Sequence, residues 1–232
     1  MSTSAARTKT GSFSTWLAKY IELVIVACLG LVSVATAYTS FQAALYDSQM
    51  ASAYAVGQSY KTEAESMYLE ANQQYVQDSQ TLLRIFELNV EIQSGDATTS
   101  ALAQAKADAI FTSSVSATFA EAIAAADEAN AASPDMPYIS AQDDETYLAE
   151  LFDPYQELNA AADEKMIDGD RYNGLSDQLT LYTVLMALSL FLLGIAAVMK
   201  KFGTQFLIVG IAMVIFTLSA VLTAAVPFVA LG

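Results

Sequence analysis

Residues 20–38 read YIELVIVACLGLVSVATAY, and this stretch decides the fold. It is apolar over a length that matches the roughly 20 residues a helix needs to cross about 30 Å of hydrocarbon. Two further stretches have the same character: Gln178 to Met199 and Phe206 to Leu231. Three spans are therefore expected. Between the first and second lie residues 43–177, which hold 24 of the 25 acidic residues and only five of the ten basic ones. The expected division is a segment 1–19, a first span 20–42, an acidic helical region 43–177, a second span 178–199, a turn 200–204, and a third span with a short end over 205–232.

Composition removes several classes of function. A formal net charge of −15 opposes contact with nucleic acid or an anionic lipid surface. It suits cations or a basic partner. The chain has no histidine, and Cys28 is its only cysteine. Histidine metal centres, Ser–His nucleophiles and an intrachain disulfide are thereby excluded. No glycine-rich phosphate loop and no activated nucleophile can be found, so neither catalysis nor a cofactor is expected.

The basic residues predict orientation. Arg7, Lys9 and Lys19 precede the first span, and Lys200 with Lys201 fill the turn between the second and third. Three crossings put both groups on one face, and the positive-inside rule assigns that face to the cytoplasm. Residues 43–177 and the C-terminus then lie on the opposite, outer side of the membrane. A competing reading takes Ala35-Thr36-Ala37 as a signal-peptide cleavage site. The leader it would release is longer than usual, so the first span is read as a retained anchor.

No proline occurs before residue 134, and Gly30 and Gly57 are the only glycines between the first span's start and Gly95. A helix is thus expected from a cap at Ser12 or Ser14, past Trp16 and Tyr20 at the interface, to about Ser94. Its outer part carries a seven-residue pattern. Tyr54, Lys61, Tyr68, Tyr75 and Leu82 form one line; Met50, Gly57, Ala64, Ala71, Asp78 and Ile85 form the complementary one. The pair reads as a heptad seam interrupted by Lys61 and Asp78, suited to self-association.

Gly95 and Asp96 predict a helix stop followed by a new cap. Residues 100–132 are expected as one alanine-rich helix folding back as an antiparallel hairpin, with Leu102, Ala109, Ser116 and Ile123, accompanied by Ala105, Thr112, Phe119 and Ala126, on its packing stripe. Ser140 and Asp143 suggest a capping box for a short helix to Phe152. Asp153-Pro154 suggests the start of another, running towards the second span and kinked or interrupted around Gly169 and Gly174. The fold class is all-α.

Candidate sites are few. Asp168-Gly-Asp-Arg-Tyr-Asn-Gly has alternating oxygen ligands like a calcium loop, which makes Asp168 and Asp170 candidate ligands. The pattern lacks the loop's central glycine and closing glutamate, and a glycine-punctuated helix break is the competing reading. Glu22 is the one ionisable residue within a span. Next to Lys19 it reads as an interfacial pair; repeated around an axis it reads as a carboxylate ring for cations. Ser33, Ala37, Ser40 and Ala44 form a small stripe that suits close helix approach.

Val34-Ala-Thr-Ala-Tyr-Thr-Ser-Phe-Gln-Ala-Ala-Leu-Tyr-Asp-Ser-Gln49 resembles the corresponding part of uncharacterised bacterial three-span membrane proteins. The resemblance implies a long outward helix followed by two closing spans, and brings no activity or site residue. The expected function is a non-enzymatic membrane interaction subunit, a homo-oligomer or a partner of another membrane protein. The alternatives are a homo-oligomeric cation channel and a calcium-responsive sensor.

Overall fold

A computed structural model describes residues 11–230, and side chains from Tyr20 onward. Arg7, Lys9 and Leu231–Gly232 fall outside the described residues, and the expectations for the side chains of Ser12, Ser14, Trp16 and Lys19 fall outside the described side chains. The described chain is helical: α1 (Gly11–Ser94), α2 (Ala97–Ser114), α3 (Ala117–Ala132), a single 3-10 turn (Ala141–Asp143), α4 (Glu145–Val198) and α5 (Phe202–Ala225). Three of these helices, α1, α4 and α5, contain a stretch long and apolar enough to cross a membrane. The chain divides into two compact units: the residues up to Tyr54 with those from Ile167 onward, and Ala55–Met166.

α1 continues unbroken because nothing in it stops a helix. Its buried and half-buried positions alternate by three and four residues: Ile21, Ile25, Cys28, Val32, Ala35, Thr39, Gln42, Tyr46 in the first unit; Gly57, Tyr60, Ala64, Met67, Ala71, Gln74, Asp78 in the second. Such alternation keeps one face of a helix turned to its neighbours. A single four-four step, Gln49 to Ala53 to Gly57, interrupts the count. An inserted step of this kind resets the phase between a 3.6-residue helix and a 3.5-residue pattern.

In the first unit, Val32, Met186, Leu193 and Ala212 make one core cluster, and Ile21, Ile25 and Ala196 another. Buried Ser189, Ala196, Ala212 and Ser219 are small, which allows close approach between helices. The hydroxyls of Thr36, Thr39, Thr183, Ser189 and Ser219 each donate to the carbonyl four residues earlier. They therefore need no water, as an apolar environment requires. Outward lie Leu23, Val26 and Val34 on α1, Val184 and Phe191 on α4, and Val214 and Val221 on α5, all more than half exposed. The small stripe Ser33, Ala37, Ser40, Ala44 is exposed as well, and the expected close approach uses the opposite face.

The motif at residues 34–49 acquires a packing role here. Gln42 clamps the chain after α5, its amide nitrogen donating to the Val229 carbonyl at 3.3 Å and its oxygen accepting from the Val229 N–H at 3.1 Å. The Tyr46 hydroxyl donates to the Pro227 carbonyl at 2.7 Å. Ser176 donates to the Ala43 carbonyl at 3.1 Å.

Several expected boundaries move in the second unit. The alanine-rich stretch is two helices rather than one, because Ser116 accepts from the Phe119 N–H and starts α3. Ser116 is thus a cap, Leu102 is exposed, and the α2 positions that pack are Ala103 and Ala107, against Leu88. Asp144, rather than the Ser140–Asp143 pair, caps α4, accepting from the N–H groups of Thr146 and Tyr147 at 3.0 and 2.9 Å. α4 then runs through Pro154 without stopping. An interior proline costs about 3 kcal/mol. Side chains on both sides of it are anchored: Leu148 and Leu151 on the Phe119–Tyr147 core, Phe152 and Tyr155 against Tyr68.

Nor does α4 break at Gly169 or Gly174. A Cβ at Gly169 would lie 2.5 Å from the Tyr54 ring, so glycine is needed there for the ring to lie against the helix. Gly169→Ala is expected to destabilise by about 1–3 kcal/mol through overpacking. Thermal unfolding in detergent checks this: Tyr54→Ala should remove most of the difference between Gly and Ala at 169.

Candidate functional site

The complementary heptad line is a buried line inside the chain. Gly57, Ala64, Ala71 and Asp78 are all buried. Their neighbours come from the same unit: a Cβ on Gly57 would meet the Ala162 carbonyl at 3.2 Å, and Tyr68 and Tyr75 meet Tyr155 and Tyr147. The seam expected to serve self-association is therefore occupied by α4. Lys61, read as an interruption, reaches Asp163 at 3.2 Å in a surface ion pair, an arrangement worth about 0–1 kcal/mol.

Asp78 is the one buried carboxylate among the described residues, with no measurable exposure. The Tyr147 hydroxyl donates to its Oδ2 at 2.8 Å and the Gln74 amide to its Oδ1 at 2.9 Å. Tyr147 is itself buried and lies 4.7 Å from the Phe119 ring, centroid to centroid. One hydrogen bond thus joins α1 to α4 inside a core to which α3 contributes Phe119, Ala122 and Ala126. Burial, and then the bond to Asp78, push the Tyr147 phenol well above its ordinary 10.0.

Two cavities flank the connector between α3 and α4. One, of about 470 Å³, is lined by Ser79, Leu82, Leu83, Phe86, Tyr138 and Gln142. The other, of about 460 Å³, is lined by alanines of α3, Ile139, and Asp143, Asp144 and Glu145. Both share Ser140. Asn130 fixes the connector by donating to the Ile139 carbonyl at 2.9 Å and accepting from its N–H at 2.8 Å.

Of the residues singled out in the sequence, Asp168 and Asp170 lie on α4, where the chain is helical rather than looped. Asp170 accepts from the Tyr54 hydroxyl at 2.6 Å, and this bond raises the Tyr54 pKa. No group of three or more His, Cys, Asp or Glu side chains suited to a metal ion occurs among the described residues. Glu22 is exposed on α1, beside Ile21 and Ile25, which pack on Ala196.

The residues the sequence reading passed over are those on the far side of α1 from Asp78. Leu69, Val76, Leu83 and Val90 recur by seven and are 59, 47, 64 and 55 % exposed, with Phe86 at 57 %. Their spacing was the available signal, hidden beside two other seven-residue lines in the same helix. No family model, no curated protein and no solved structure matches the chain.

Removing the Tyr147 hydroxyl leaves a buried carboxylate oxygen without its partner, so Tyr147→Phe is expected to cost about 1–3 kcal/mol. The raised phenol pKa gives the sign of a pH effect. The contribution is fully present below pH 10 and is lost as pH rises beyond it, because the unfolded chain ionises there and the folded one resists. Melting temperature against pH should fall above pH 10 in the native chain, and less steeply in Tyr147→Phe.

Proposed function

We propose that this chain is a non-enzymatic interaction subunit of a bacterial inner membrane, anchored by three spans and presenting an acidic helical region outside. The carrying observation is the exposed apolar line on α1: Leu69, Val76, Leu83, Phe86 and Val90. In a unit with 20 acidic against 4 basic residues, a row of large apolar side chains on a polar helix is a docking surface. Several charged groups of this unit have structural partners: Asp78 with Tyr147, Lys61 with Asp163, Arg84 with Glu87, and Asp96 and Asp144 as helix caps. The antiparallel hairpin remains part of this reading, with α1 as one arm and α2 and α3 as the returning one.

Orientation rests on Arg7, Lys9 and Lys19 before the first span and on Lys200 and Lys201 at the α4–α5 turn. A thiol introduced at Ala129 should react with an impermeant maleimide on intact cells. Reaction only after the cells are opened would reverse the topology.

The interaction role is tested by purifying the whole chain from its own membranes in mild detergent. A mass above one chain, or one co-purifying protein in fixed ratio, is expected. A lone monomer across detergents and concentrations would overturn the reading.

A further inference from the structure

Resting on the interaction reading, we infer that the occupant of the exposed line is a second copy of this chain, paired in parallel along α1 over residues 66–90. Three observations identify it. First, the line repeats by seven: Leu69, Val76, Leu83 and Val90, with Asn72, Ser79 and Phe86 three residues after the first three. This is the a-and-d spacing of a two-stranded coiled coil, whose partner must carry the same repeat. The other seven-residue seam of α1 is already filled by α4, so this one is open.

Second, the face carries no charge from Ser66 to Phe86; Glu65 and Glu87 bound it, and Glu87 pairs with Arg84 at 2.7 Å. Ser66, Leu69, Asn72, Gln73, Val76, Ser79, Gln80, Leu83 and Phe86 follow one another along it without an acid or base. Glu70 and Arg84 belong to a separate line of the helix with Gln77, and Asp78 points into the core. Two copies, each strongly acidic, repel through every other surface of this unit. They can approach where the charge is missing, and charge depletion marks the core of an interface. A basic partner would be expected on a charged face instead.

Third, two copies inserted the same way in one bilayer run their α1 helices in the same direction. A two-fold axis normal to the bilayer then brings each residue of the line opposite itself. Asn72 would face Asn72, a polar pair of the kind that fixes register in such dimers. The cavity beside Leu83 and Phe86, about 470 Å³, opens where a partner side chain can enter.

The test uses the whole chain in detergent with Cys28→Ser as background. Leu83→Cys should form an intermolecular disulfide on mild oxidation, while Gln77→Cys, exposed but off the line, should not. Leu83→Glu should convert a two-chain mass to one chain without loss of helical signal. Equal cross-linking at both positions, or an unchanged mass in Leu83→Glu, would overturn the pairing. A different co-purifying protein, lost in Leu83→Glu, would overturn the second copy while leaving the interaction role standing. A monomeric native chain without any partner would remove both.

Discussion

The second unit depends on a hydrogen bond between a buried phenol and a buried carboxylate. Asp78 sits where the heptad line of α1 calls for an apolar side chain, and an unpaired carboxylate there would cost several kcal/mol. Only Tyr147 and Gln74 offset that cost, at 2.8 and 2.9 Å. Tyr147 lies one turn into α4, just after the Asp144 cap, so the bond fixes where α4 begins relative to α1. Apolar contacts tolerate a slide of one helix along another; this polar pair permits one register. Buried polar residues in helical seams are known to act in that way.

Fixing that register makes other local choices consistent. With Tyr147 opposite Asp78, Tyr155 lies by Tyr68, and Ala162 by Gly57. Along the seam aromatic rings meet aromatic rings, Tyr68 with Phe152 and Tyr155 and Tyr75 with Tyr147, while the small Gly57 lies against Ala162. Pro154 is carried within α4 because its neighbours on both sides are held by this pairing, and the lost backbone bond is tolerated rather than avoided.

Hydropathy and the heptad count revealed much of this architecture because both are local. The three apolar stretches, the unbroken α1 and the line Gly57–Ala64–Ala71–Asp78 need only residue spacing to be seen. What fills that line is a matter of distant partners, and the expectation of self-association there gave way to α4. The cap at Ser116 was hidden because Ser and Thr abound around it, with no glycine or proline to mark a stop. Gly169 reads as a helix breaker in isolation. Only the Tyr54 ring, over a hundred residues earlier, explains it as a point of close contact.

A helix that carries three lines at seven-residue spacing is unusual in having to distinguish them. Two are used on adjoining positions of the inward side, where Asp78 and the tyrosines select α4. The third holds branched aliphatics flanked by amides, with neither tyrosine nor buried acid. Its chemistry cannot compete for α4, because no Leu or Val on it can satisfy Tyr147. The polar pair inside thus does two things at once: it specifies the internal partner, and it leaves the apolar line on the opposite face facing outward. The same residue that looks like a flaw in the heptad pattern keeps the two faces of α1 from exchanging roles.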